Sequence, residues 1–182
     1  MPVSASAPAF VAGSPLLSAA HEAAVAVHAG PLGSGRTSID HPIDVAALLH
    51  DAGYGEHVVA AALLHDVVED DGMDLASVHN RFGARIGRLV GQLTEDGSEP
   101  SFARRKATLR QEAATDGHEA AAIFAADKLA IAVAHLREAT VPDRRKREHY
   151  ERSLEVLRAH HPEVPFLGQL ASALAALRSL AR

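Results

Sequence analysis

From Ala61 to Asp71 the chain reads AALLHDVVEDD. Together with Val59 and Ala60 upstream, the apolar residues Leu63, Leu64 and Val67 recur at three- and four-residue intervals, so a helix is expected from Glu56 to about Val68 with these side chains inward. Towards its end His65 and Asp66 stand side by side, followed by Glu69, Asp70 and Asp71, the densest group of ionisable residues in the chain. Adjacent residues on a helix diverge by about 100°. His65 and Asp66 can therefore share one ion only if it lies between their two directions. A His-Asp dipeptide on its own is common, and an acidic run is equally the mark of a solvated helix end. The rest of the chain decides between these readings.

Outward from this segment, helical periodicity dominates. Aromatic residues make up only 4% of the 182 residues, β-branched runs are rare, and Ala and Leu recur at helical spacing, so the expected class is all-α. Ser14 and Pro15 open a helix to about Ala29, closed by Gly30. A polar, glycine-rich loop follows from Pro31 to Asp40. Pro42 to Ala52 carries an apolar stripe of Ile43, Val45, Ala46, Leu48 and Leu49. Asp74 caps a short helix to about Arg81, Gly83 separates it from Ala84 to Thr94, and a charged helix spans Phe102 to Ala114. The strongly apolar stretch from Glu119 to Ala139 should be central. An Arg- and Lys-rich helix starts at Pro142 and reaches His160, and the region after Pro165 forms the last helix. Its Ala- and Leu-rich face could pack against a partner, which leaves a homo-oligomer open.

Composition narrows the function classes. A chain of 182 residues suits one domain, here positions 14–182 behind a loose tail at 1–13, and leaves no room for a synthetase domain as well. The 18 Lys and Arg against 23 Asp and Glu give a net charge of −5, which favours neither nucleic acid nor an anionic membrane as partner. With no cysteine, disulfides, thiolate nucleophiles and sulfur-ligated zinc are excluded. No secretory signal and no membrane-length apolar run is evident, so a cytoplasmic protein is expected.

Two further positions supply ligands to complement His65 and Asp66. His41 precedes Pro42, whose ring favours an extended backbone at the preceding residue and would hold His41 at a rigid corner. Asp127 interrupts the apolar run AIFAADKLAIAVAHL, where a buried carboxylate needs a partner, either Lys128 or a cation. Two imidazoles and two carboxylates make a mixed nitrogen and oxygen set suited to Mn²⁺, Fe²⁺, Co²⁺ or Zn²⁺. Coordination positions left over for water and a substrate oxygen are what metal-assisted hydrolysis requires.

These residues occur in an order that resembles the HD-domain phosphohydrolases, and among them the alarmone hydrolases that remove the 3′-pyrophosphate of ppGpp, including the hydrolase half of RelA/SpoT-type proteins. The resemblance runs over positions 17 to 158. It rests on Ile39, His41-Pro42 with Val45-Ala46, Ala61 to Asp70, Arg81-Phe82-Gly83, Leu89-Val90, Leu93-Thr94, Arg105-Lys106 and Ala126 to Leu129. It implies an HD-type bundle of about eight to nine helices, with one Mn²⁺, or another divalent transition metal, on His41, His65, Asp66 and Asp127. It gives Glu69 and Asp70 the orientation or deprotonation of the attacking water. An anionic nucleotide substrate calls for positive groups, and Arg36, Arg105, Lys106, Lys128 and Lys146, with Tyr150 one turn after Lys146, are the candidates. The reaction implied is ppGpp to GDP and pyrophosphate.

The likeness is weaker around the substrate. The loop before His41 is one residue shorter than in the family, with Leu32 and Gly33 near its basic positions and Thr37-Ser38 where a Pro-Tyr stands. Ile131 occupies the place of an Asn that contacts the nucleotide. Two other readings therefore stand beside the first: an HD-domain hydrolase acting on a different nucleotide or phosphate ester, and a catalytically weak domain that binds a nucleotide or protein partner and uses the metal structurally.

Overall fold

The computed structural model describes residues 7–28, 39–70 and 72–181. Among these every regular element is a helix, ten in all, so the all-α expectation holds with one helix more than the expected range. The chain divides into two compact units, Met1–Gly91 and Gln92–Arg182.

In the first unit the helices are α1 (Ala9–Ala12), α2 (Pro15–His28), α3 (Asp40–Asp51), α4 (Glu56–Leu64), α5 (Leu75–Phe82) and α6 (Ala84–Leu93), the last ending just past the unit's boundary. α2 and α3 both pack on α4. All seven residues from Val58 to Leu64 are buried, as befits a helix that is apolar on every side. Each large side chain buried there contributes about 1.5–3 kcal/mol. The C-terminal end of α4, from which His65 follows, is thus fixed in the interior.

Chain punctuation accounts for the ends. Ser14 Oγ accepts the N–H of Leu17 at 3.2 Å and so caps α2, and Asp74 Oδ1 accepts that of Ser77 at 2.6 Å to cap α5. Between α5 and α6, Gly83 takes φ +90°, a conformation strained for any residue with a Cβ. Four residues on, a Cβ on Gly87 would come within 2.9 Å of the His79 Cα, so its lack of a side chain lets the two helices approach.

The second unit holds α7 (Phe102–Thr115), α8 (His118–Arg137), α9 (Arg144–His160) and α10 (Leu167–Leu180). α8 packs against α7, α9 and α10, and every residue from Ala120 to Leu129 is buried. That makes it central to its unit, as its apolar run predicts.

Several expectations need correcting. Within the expected loose tail, Ala9–Ala12 is helical, Val11 is buried and the Phe10 ring stacks on His50 at 5.0 Å. α3 begins at Asp40, so His41 lies inside its first turn and is not held in an extended conformation by Pro42. A first-turn residue has no intrahelical acceptor for its N–H, so proline is accommodated there without a lost hydrogen bond. α4 stops at Leu64, and the chain from His65 to Asp70 continues in turns. α9 starts after its cap, Asp143, whose Oδ1 accepts the N–H of Lys146 at 2.9 Å. The closure by Gly30 and the loop from Pro31, with Arg36, Leu32, Gly33, Thr37 and Ser38, lie outside the described residues.

Candidate metal centre

In the first unit α3 and the end of α4 bring three of the expected ligands together. The rings of His41 and His65 meet edge to face with centroids 5.3 Å apart, and their ligating nitrogens lie within 4.8 Å of each other. Asp66 sits between them, its Oδ1 3.1 Å from His65 Nε2 and its Oδ2 3.9 Å from His41 Nε2.

The tautomer of His65 follows from its neighbour. Its Nδ1 is 2.8 Å from the carbonyl oxygen of Ala62, which can only accept, so the proton is on Nδ1. Nε2 is buried and makes no hydrogen bond. Nε2 is left facing a carboxylate oxygen at 3.1 Å, a contact that becomes favourable with a proton or a metal ion between the two atoms. An imidazole that donates one nitrogen to a backbone carbonyl and presents the other to an acid has the hydrogen-bond pattern of a metal-ligating histidine. The donor set, nitrogen and oxygen without sulfur, fits a divalent transition ion.

Two acidic residues follow in the turns after α4. Glu69 and Asp70 are both exposed, and the N–H of Asp70 bonds the carbonyl of Asp66 at 3.0 Å, tying the acidic turn to the ligand. Asp70 Oδ2 is 2.9 Å from Nδ1 of His28, at the end of α2. Burial lowers the His28 pKa, while Asp70 and Asp66 oppose the shift and His65 adds to it. His28 is the group that sequence reading misses here. Nothing in its local pattern distinguishes it from the other histidines, and only the packing of α2 on α4 gives it this neighbour.

In the second unit Asp127 is buried on α8. Its Oδ2 accepts from Lys128 Nζ at 2.5 Å, and the same ammonium lies 4.7 Å from the centroid of the Phe124 ring. Lys128 thus supplies Asp127 with a buried partner. Tyr150 is also buried, and burial, with the Asp127 and Asp143 carboxylates, raises its pKa so that the hydroxyl keeps its proton. Lys146, one turn earlier, is exposed.

Arg105 and Lys106 are engaged within the protein. Arg105 Nε donates to Glu95 Oε2 at 2.6 Å and its Nη1 to the Glu99 carbonyl at 2.9 Å, while Lys106 pairs with the other Glu95 oxygen. Burial pushes the Glu95 carboxyl up, but the two cations outweigh it and hold the pKa below its usual value. Ile131 is half-buried on α8.

Residues 19–156 match the family described as the HD domain. Human guanosine-3′,5′-bis(diphosphate) 3′-pyrophosphohydrolase MESH1 is 44% identical over 79 residues, which are 42% of this chain and 44% of that protein. The match therefore spans less than half of the human protein's length. A solved structure described as a metazoan ortholog of SpoT that hydrolyzes ppGpp superposes with a TM-score of 0.76 at 25% identity, covering 92% of this chain and 97% of the other. The protein lmo0812 of Listeria monocytogenes EGD-e superposes with a TM-score of 0.69 at 29% identity, covering 76% and 99%.

Proposed function

The chain belongs to the HD-domain family, and from that premise we propose that it is a metal-dependent phosphohydrolase that converts ppGpp to GDP and pyrophosphate. The observation that carries this reading is the apposition of His65 Nε2, without a hydrogen bond, to Asp66 and His41. Likeness to MESH1, named for this activity, and to the ppGpp-hydrolyzing SpoT ortholog supports the choice of substrate.

In this reading His41, His65, Asp66 and Asp127 hold one divalent ion, Mn²⁺ by family resemblance. When bound, such an ion polarises phosphoryl oxygens and lowers the pKa of water. The chain's own residues supply the rest. The Nδ1–H bond of His65 to Ala62 fixes the ring that presents Nε2. Glu69 and Asp70 orient the attacking water and take its proton, with His28 holding the Asp70 carboxylate. Water attacks the phosphorus attached to the 3′-oxygen, the P–O bond to that oxygen breaks, and the 3′-oxygen leaves with a proton. Lys128, Lys146 and Tyr150 offer charge and hydrogen bonds to the anionic substrate, as does Arg36. Arg105 and Lys106 contribute to the extent that Glu95 shares them.

The direct test incubates purified protein and Mn²⁺ with ppGpp beside a panel of other nucleotides and phosphate esters. Release of pyrophosphate from ppGpp is the expected result, and no product from any compound would defeat the reading. Glu69→Gln should lower turnover by about 10²–10⁴-fold, the usual contribution of a proton-accepting side chain, while elemental analysis finds the metal retained. A domain that used its metal structurally would lose nothing. One observation favours a second reading: Ile131 puts an apolar side chain where the family has a nucleotide-contacting Asn. Faster cleavage of another nucleotide in the panel would select it.

A further inference from the structure

In the second unit a cleft between α7 and α9 is lined by Phe102, Lys106 and Arg110 on one side and by Arg145, His149 and Arg152 on the other. A chain of net charge −5 here gathers four cationic side chains around one opening, of which Lys106 is already paired with Glu95. The lining includes one carboxylate, Glu148, which Arg144 engages at 2.8 Å.

Arg110 is only 8% exposed. Its Nη1 donates to His149 Nδ1 at 2.8 Å, and among the described residues no carboxylate pairs with it. Burial, and then the nearby Arg152, disfavour its charge, yet a guanidinium does not escape by losing a proton. A buried cation without a counter-ion is among the costliest arrangements in a protein interior.

His149 compounds the imbalance. Because its Nδ1 accepts from Arg110, its proton is on Nε2, and that N–H is buried without an acceptor. Burial and the surrounding cations Lys128, Lys106 and Arg110 press its pKa down to about 2, so the ring does not add charge of its own. At the cleft Arg145 lies with its guanidinium 4.5 Å from the centroid of Phe102, a cation–π contact that leaves its charge in place.

We propose that this cleft is a binding site for a phosphoryl group, taken either as a free phosphate or pyrophosphate anion or as a phosphate of the nucleotide that the enzyme cleaves. Several guanidiniums match the charge and the multiple acceptor oxygens of a phosphate better than those of a single carboxylate. The bound anion would neutralise Arg110 and Arg152 together. The site stands on residues of the second unit alone and does not require the hydrolase reading to be correct.

Calorimetry on the full chain in EDTA, with inorganic phosphate and with pyrophosphate as probes, keeps any divalent ion out of the measurement. Saturable binding that weakens with added salt is expected. Arg152→Gln, at an exposed position, should weaken it by about tenfold, the effect of one charge-assisted hydrogen bond. Arg110→Gln should do the same if circular dichroism finds it folded. No binding at millimolar anion, or equal binding by wild type and an Arg145→Gln/Arg152→Gln double variant, would overturn the proposal. Kinetics then separate the two sources. A raised KM for the cleaved nucleotide at unchanged kcat in the double variant identifies a substrate phosphate, and lost phosphate binding with unchanged KM identifies a free anion. Should hydrolysis be absent while phosphate binding in EDTA persists, only the proposed function falls.

Discussion

His65 carries most of what single residues reveal. Its type and its place beside Asp66 are written in the sequence, but its readiness to ligate depends on the Ala62 carbonyl claiming Nδ1 and leaving Nε2 for a cation. Asp127 was readable as a carboxylate in need of a partner, and Lys128 is one of the two partners that the sequence offered. The roles of His28 and His149 were not readable. Each faces a group far along the chain, Asp70 and Arg110 respectively. His149 gives a pH prediction. Its pKa falls from 6.5 to about 2 on folding, so below pH 6.5 the unfolded chain binds a proton that the folded chain does not. The stability that depends on a neutral His149 is full above pH 6.5 and declines as the pH falls towards 2. His149→Asn should remove close to one proton from the pH dependence of unfolding between pH 4 and 6. Denaturant melts across that window measure it, and an unchanged slope would refute the assignment.

Apart from α1, which falls in the expected loose tail, and the early end of α4, helices were readable to within a turn because their signals are local. Asp74, Gly83 and the apolar stripe of α4 each act within a few residues. The misjudged ends are equally instructive. Leu63 and Leu64 continue into Val67 at helical spacing, yet α4 stops at Leu64 and the turns that follow aim the acidic residues. At the other side Pro42 sits within the first turn of α3, although its ring favours an extended backbone at His41. A steric preference of one residue is small beside the packing of α3 on α4. At this scale the cap is the testable part. Asp74→Ala removes the acceptor for the Ser77 N–H and should cost about 1 kcal/mol, visible as a lower denaturation midpoint with an unchanged slope.

For the molecule as a whole, a bound ion should act as a ligand of the folded state only. Mn²⁺ at about a hundred times its Kd would stabilise by about 2.7 kcal/mol, which for a chain of this size raises Tm by about 5–10 °C. EDTA should reverse the rise, and His65→Ala should abolish it; a Tm indifferent to metal in the wild type would count against the proposed centre. No helix among the described residues is long and apolar enough to cross a membrane. The sequence by itself determined the helical class and the residue types available for chemistry, because helical periodicity and the preference of imidazole and carboxylate for divalent ions are properties of short segments. Only the tertiary structure decided which groups are engaged: Glu95 draws in Arg105 and Lys106, His28 meets Asp70, and Arg110 is buried against His149 without a carboxylate. Those pairings join residues on different helices or across a loop, and such meetings depend on the path of the chain, which no local pattern encodes.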